Sequence, residues 1–328
     1  MSFPASVPCV LAIDVEPTLR LPALGDTAPW NGFQQTVDFI DALRAEVGQR
    51  SGDTPRFLWT IRMDPQVETV HGTSTWAVDR HPELIERIVS AGDEIGLHSH
   101  AWRWDDASNS WVADHGDEEW VEHCLEVSFD GFRRAFGRSP ESFRSGDRFV
   151  SDRVVQHLET QGILHDLSIE PGEPAQAGLF AHEAHTGELP DMRDMPRSPF
   201  QSAGIWFIPL TAGRWRPDVA PVDQMMRRAT TAVLKPFVKV PPYLWPARAG
   251  LGALRLWESP RIYRDALGDA LTHTDNPFLA FAVRTDMVLN PLIRRRMWTN
   301  LLELTREGIS VRFSQPAEAL SRWRDQQV

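Results

Sequence analysis

The sequence predicts an α/β fold of parallel strands joined by crossover helices, and three observations predict it. Short apolar runs alternate with segments of helical periodicity along much of the chain. The 328 residues suffice for two average domains or for one α/β barrel. Several apolar runs also end in carboxylates or histidines, as strands do where their C-terminal ends line a ligand site.

In chain order, Val10 to Val15 reads as the first strand, and Thr36 to Val47 as a helix with Val37, Ile40, Leu43 and Val47 on one face. Arg56 to Ile61 is a second strand, rich in aromatic and aliphatic residues. His81 to Ala91 is helical, with Leu84, Ile85 and Ile88 together and Gly92 placed as a C-cap, and EIGLHSHAW follows as a strand. Arg103 to Asp117 reads as a polar loop, and Glu118 to Phe136 as a helix stopped by Gly137. Asp152 to Gln161 and Pro291 to Arg306 are further helices; ILHDLSI, IWFIPLT, FLAFAV and ISVRF are further strands. The expected organisation is one catalytic barrel domain over residues 1–328.

Residues 214–271 have no clear period and are expected to form an irregular insertion or lip. The plainer reading is a long loop packed by its own aromatics. Its basic, Trp- and Pro-rich stretch KPFVKVPPYLWPARAGLGALRLW would also suit peripheral contact with a membrane or a lipid-linked substrate.

Apolar residues make up 42% and charged residues 24%, an ordinary globular balance that excludes disorder and a disulfide-built miniprotein. The net charge of −11 argues against nucleic acid as a partner. Cys9 and Cys124 form no CxxC pair, which suits a reducing compartment, and a cytoplasmic location is expected. The N-terminal apolar run passes straight into Asp14 and Glu16, so it is read as a strand and not as a signal peptide. No stretch reaches about 18 uninterrupted apolar residues, so no spanning helix is expected.

Residues i and i+2 of a strand share a face, so Asp14 projects with Glu16, and His98 with His100. Each pair follows an apolar run. Taken singly, either pair reads as strand-end hydrogen bonding or turn capping; together they suggest a site. Two imidazoles and a carboxylate form a common shell for a hydrolytic Zn²⁺ that keeps a position open for water, and a second carboxylate nearby takes the proton.

The order of IDVE, HPELIERIVSAGDEIGLHSH, FGRSPESFRSG and HDLS resembles the polysaccharide deacetylase family, closely over roughly residues 8–170 and loosely beyond residue 200. That resemblance implies a distorted barrel of seven or eight β/α units carrying a metal-dependent carbohydrate N-deacetylase. It implies Asp14 as catalytic base and Glu16, in place of the usual second aspartate, as a metal ligand. In the family's His-Ser/Thr-x-x-His motif His98 matches, the second histidine position is Trp102, and His100 is the substitute ligand on the same strand face. Arg144 matches the arginine that holds the base, with Asp147 and Arg148 as extra polar groups where prolines usually follow. Asp166 matches the acidic residue that steadies the general acid; its plainer reading is a turn or capping aspartate. The family's last motif ends in a histidine, whereas FLAFAV ends in Arg284, Thr285 and Asp286. His115, His123 and His273 are the other histidines weighed for that role, and Asp64 is a reserve carboxylate.

The expected function is removal of an acetyl group from an N-acetylated sugar or glycan precursor, with Zn²⁺ as the expected metal; tryptophans such as Trp102, Trp104 and Trp111 suit stacking on sugar rings and equally suit anchoring of core and loops. Two alternatives stand beside it: a non-catalytic carbohydrate-binding member of the same fold, and a hydrolase of another C–N amide bond.

Overall fold

The computed structural model describes residues 6–25, 29–176, 185–216, 225, 229, 250–306 and 310–327. In chain order the strands are β1 (Val7–Val15), β2 (Leu58–Arg62), β3 (Glu94–Ser99), β4 (Trp102–Asp105), β5 (Ser110–Asp114), β6 (Ser142–Ser145), β7 (His165–Asp166), β8 (His185–Thr186), β9 (Phe200–Ser202), β10 (Ile205–Phe207), β11 (Ala212–Trp215), β12 (Gly250–Ala253), β13 (Leu279–Arg284) and β14 (Val311–Phe313). The helices are α1 (Asn31–Ser51), α2 (Pro65–His71), α3 (Trp76–Arg80), α4 (Pro82–Ser90), α5 (Glu118–Phe136), α6 (Asp152–Thr160), α7 (Pro260–Thr272), α8 (Pro291–Glu303) and α9 (Pro316–Asp325).

The main sheet runs β13-β1-β2-β3-β6-β7-β10-β9, with β14 also paired to β1; all its pairs are parallel except β10 with β9. It curls into a half-barrel. Its ends approach where Thr211, just beyond β10, donates its N–H to the Ala280 carbonyl at 2.7 Å and accepts the Ala280 N–H on Oγ1 at 2.8 Å.

Alternation along β1 explains why both faces of the sheet are buried. Cys9, Leu11, Ile13 and Val15 face the outer helices, while Val10 and Ala12 face the barrel interior with Leu58, Ile208, Leu210 and Ala280. α9 closes the lower end of that interior by inserting Ala319, Leu320 and Trp323 into the same cluster. The next inward position up β1 is Asp14. A polar residue there means that the interior changes from packed core to site within one strand repeat.

Two sequence expectations need correction. Arg103 to Asp117 is not a plain loop, because β4 and β5 pair as an antiparallel hairpin with Trp104 opposite Trp111. Their rings meet edge to face at 5.3 Å, the kind of cross-strand aromatic contact that holds a hairpin together. Segment 214–271 is also less irregular than its composition suggests. β11 pairs with β12, and α7 buries Ile262, Tyr263, Ala266, Leu267, Ala270 and Leu271 on one helical face. Residues 217–224, 226–228 and 230–249, which carry much of the proposed lip, lie outside the described residues.

Candidate metal and catalytic site

At the C-terminal ends of the parallel strands, Glu16, His98 and His100 converge, all buried. His98 Nε2 lies 3.1 Å from Glu16 Oε1 and 3.0 Å from His100 Nε2, and His100 Nε2 lies 3.5 Å from Glu16 Oε1. Two bonds of about 2.0–2.1 Å at a tetrahedral angle separate their donor atoms by about 3.3 Å, so the three atoms are spaced for one small divalent cation. The donor set, two imidazoles and a carboxylate, suits Zn²⁺.

The backbone prepares these ligands. His98 Nδ1 lies 2.7 Å from the Arg144 carbonyl; donating its proton there leaves Nε2 with a free lone pair facing Glu16. Glu16 is fixed by Thr285, whose Oγ1 accepts the Glu16 N–H and donates to the Glu16 carbonyl, each at 2.9 Å. The His100 N–H donates to Asp64 Oδ2 at 3.0 Å. His100 also needs a glycine beside it, since a Cβ on Gly146 would lie 2.2 Å from its Nδ1. Burial opposes ionisation of Glu16, yet His100, His98 and Arg284 outweigh it and hold the carboxyl well below its usual range. Burial likewise opposes the charged form of His100, but Asp147 and Glu16 leave its pKa raised.

Beside this cluster, Asp14 accepts from Arg144 Nη1 at 2.7 Å and from Thr60 Oγ1 at 2.7 Å. Arg144 therefore serves both halves of the site: its carbonyl orients His98 and its guanidinium holds Asp14. The guanidinium also reaches Glu170 at 3.3 Å, a partly exposed carboxylate. Arg284 stands opposite Asp14 in the β1–β13 register and binds Asp286 through Nε and Nη2 at 3.1 and 2.8 Å.

Thus Asp14, Glu16, His98, His100 and Arg144 are brought together as the sequence implied, and Asp166 is not. Asp166 shares a register row with Phe143 and Phe207, both in the outer core, so its side chain turns away from the barrel interior. There it accepts from Ser168 N–H at 2.8 Å and Ser168 Oγ at 2.9 Å, which is the turn-capping role. Burial pushes its pKa from 3.8 up to about 6, against the opposing pull of the Ser168 bonds and Arg144. The folded state then binds more protons than the unfolded chain between those values, so Asp166 costs stability as pH rises from about 4 through about 6. Asp166→Asn should leave metal content and kcat near wild type and remove that fall; urea unfolding at pH 4 and pH 7 checks it.

The three other histidines weighed for the general acid stay outside the cluster. His273 caps α7 ahead of β13, at the far end of that strand from Arg284; His123 is exposed against Trp120; His115 stacks on Phe149 at 4.6 Å. Asp64 is not a spare ligand, because it caps α2 and binds Arg62 at 2.6 Å. Three site residues escaped the sequence reading. Thr60 and Arg62 alternate on the inner face of β2, a signal of the same i, i+2 kind that marked the histidines. Glu170, shortly beyond β7, is a strand-end carboxylate of the type already sought.

Fold and site together define an α/β half-barrel with a carboxylate and bis-imidazole cluster at its mouth. Among solved structures, the chain is similar to one described as a candidate polysaccharide deacetylase from Mycobacterium smegmatis, 13% identical with a TM-score of 0.53, over 100% of this chain and 94% of that one. It also aligns at TM-scores of 0.46 and 12% identity with PuuE allantoinase, over 98% of this chain and 92% of that one, and with a chain described as a candidate polysaccharide deacetylase from Pseudomonas aeruginosa, over 97% and 91%. No protein-family model matches the sequence, and no curated protein matches it. The chain has the polysaccharide deacetylase fold.

Proposed function

We propose that this chain is a Zn²⁺-dependent hydrolase that removes the acetyl group from an N-acetylated sugar or glycan precursor. The observation that carries the reading is the double role of Arg144, which ties the carboxylate Asp14 to the ligand His98 at one mouth. Glu16, His98 and His100 are the ligands. A cation held by these three residues would polarise the amide carbonyl and acidify the attacking water. Asp14, held in place by Arg144 and Thr60, takes the proton from that water. Arginine is a poor proton donor, so Arg284, which faces the same mouth, does not protonate the departing nitrogen; Asp14 returns the proton it has taken. Both cysteines are buried and free, which supports a cytoplasmic setting.

The expected result is release of acetate from at least one N-acetylated sugar or glycan oligomer by protein supplied with Zn²⁺, Co²⁺ or Mn²⁺. Arg284, in place of a histidine at the end of β13, favours a second reading, a carbohydrate-binding member without turnover. Saturable glycan binding with no acetate released from any substrate would establish that reading instead.

A further inference from the structure

The His100 ring meets two groups that ask opposite things of the same nitrogen. Asp147 Oδ2 lies 3.2 Å from Nδ1 and can only accept a proton from it. Trp102 Nε1 lies 3.1 Å from Nδ1 and can only donate. With the proton on Nδ1, Nε2 carries the lone pair that a metal needs; with Nδ1 accepting from Trp102, a neutral ring carries its proton on Nε2 and cannot ligate.

Everything around Asp147 holds its carboxylate at the ring. Asp147 and Arg148 adopt left-handed backbone angles, φ 57° and 54°, which few non-glycine residues do outside functional turns. Gly146 brings that turn against the imidazole. The second carboxylate oxygen, Oδ1, binds Arg20, whose guanidinium also lies 5.1 Å over the Trp102 ring and whose carbonyl accepts from Gln66 Nε2 at 3.1 Å. Arg20, Asp147, His100 and Trp102 thus form a closed, largely buried ring of contacts.

We propose that Asp147 is the positioning residue that makes His100 a metal ligand, by fixing the proton on Nδ1 and leaving Nε2 free, while Trp102 stabilises the competing, non-ligating tautomer. This rests on the reading that Glu16, His98 and His100 bind a metal. It explains how a histidine two residues from His98 serves where position 102 is tryptophan: Asp147 comes from the turn after β6 to orient it.

The test is Zn²⁺ affinity of metal-free protein, measured by competition with a chromophoric chelator. Outer-sphere partners of ligating histidines typically change affinity by about 10–100-fold, so Asp147→Asn should weaken binding about 10-fold and Asp147→Gly about 100-fold. Asparagine and glycine both accept a left-handed backbone, so strain does not explain the loss. Trp102→Phe should keep wild-type affinity or exceed it. At saturating Zn²⁺ the Asp147→Asn protein should recover its kcat, which a merely damaged fold would not. Wild-type affinity in both Asp147 variants overturns the proposal while leaving the metal reading intact, and so does a loss in Trp102→Phe equal to that in Asp147→Asn. Absence of Zn²⁺ binding by wild-type protein overturns both.

Discussion

Asp14→Asn is expected to lower kcat by on the order of 10²-fold or more while leaving KM nearly unchanged, because a general base contributes in the transition state and not in ground-state binding. The geometry makes the substitution informative. Asp14 is 1% exposed and held between Thr60 and Arg144, so the nearly isosteric amide stays where the carboxylate was. The amide loses only the ability to take a proton. Arg144 retains Glu170 as an anionic partner, which limits the stability loss to the roughly 1–3 kcal/mol typical of a weakened buried polar contact. Steady-state kinetics of acetate release, with thermal unfolding as the control, measure both effects. Full activity in Asp14→Asn would move the base to another carboxylate, and Glu170, on the same arginine, would be the next to test.

His98→Ala should cost the site its metal. The imidazole supplies one of three protein ligands and makes the closest approach to both others, at 3.1 Å to Glu16 and 3.0 Å to His100. Removing it also strips the Arg144 carbonyl of its Nδ1–H donor, which loosens the residue that holds Asp14. The loss should exceed the about 10–100-fold expected for an outer-sphere change, so metal per chain in purified protein should fall well below one. Elemental analysis reads this directly. A variant with wild-type metal content would mean that the cation sits elsewhere.

Much of this was legible in the sequence. The apolar runs identify the parallel strands, and their alternation puts Asp14 with Glu16 and His98 with His100 on inward faces, because the strand repeat of two needs no knowledge of neighbours. α4 and α5 were readable from their periodicity and from glycines at their ends. The β4–β5 hairpin was not, since its polar tip masks a tryptophan pair that acts only once the strands face each other.

The local pattern, then, determined which side chains share a face and which strand ends carry chemistry. Only the tertiary structure decided which of them meet. Glu16 bonds to His98 across 82 residues and to Thr285 across 269, distances along the chain that sheet order alone brings together. Register decided against Asp166, placing it in the row of Phe143 and Phe207 where its carboxylate can reach Ser168 and not the mouth. The same physics brought Asp147 to His100: a left-handed turn after β6 has no periodic signal, and its direction depends on Gly146 fitting against the ring of the residue that follows β3, the neighbouring strand.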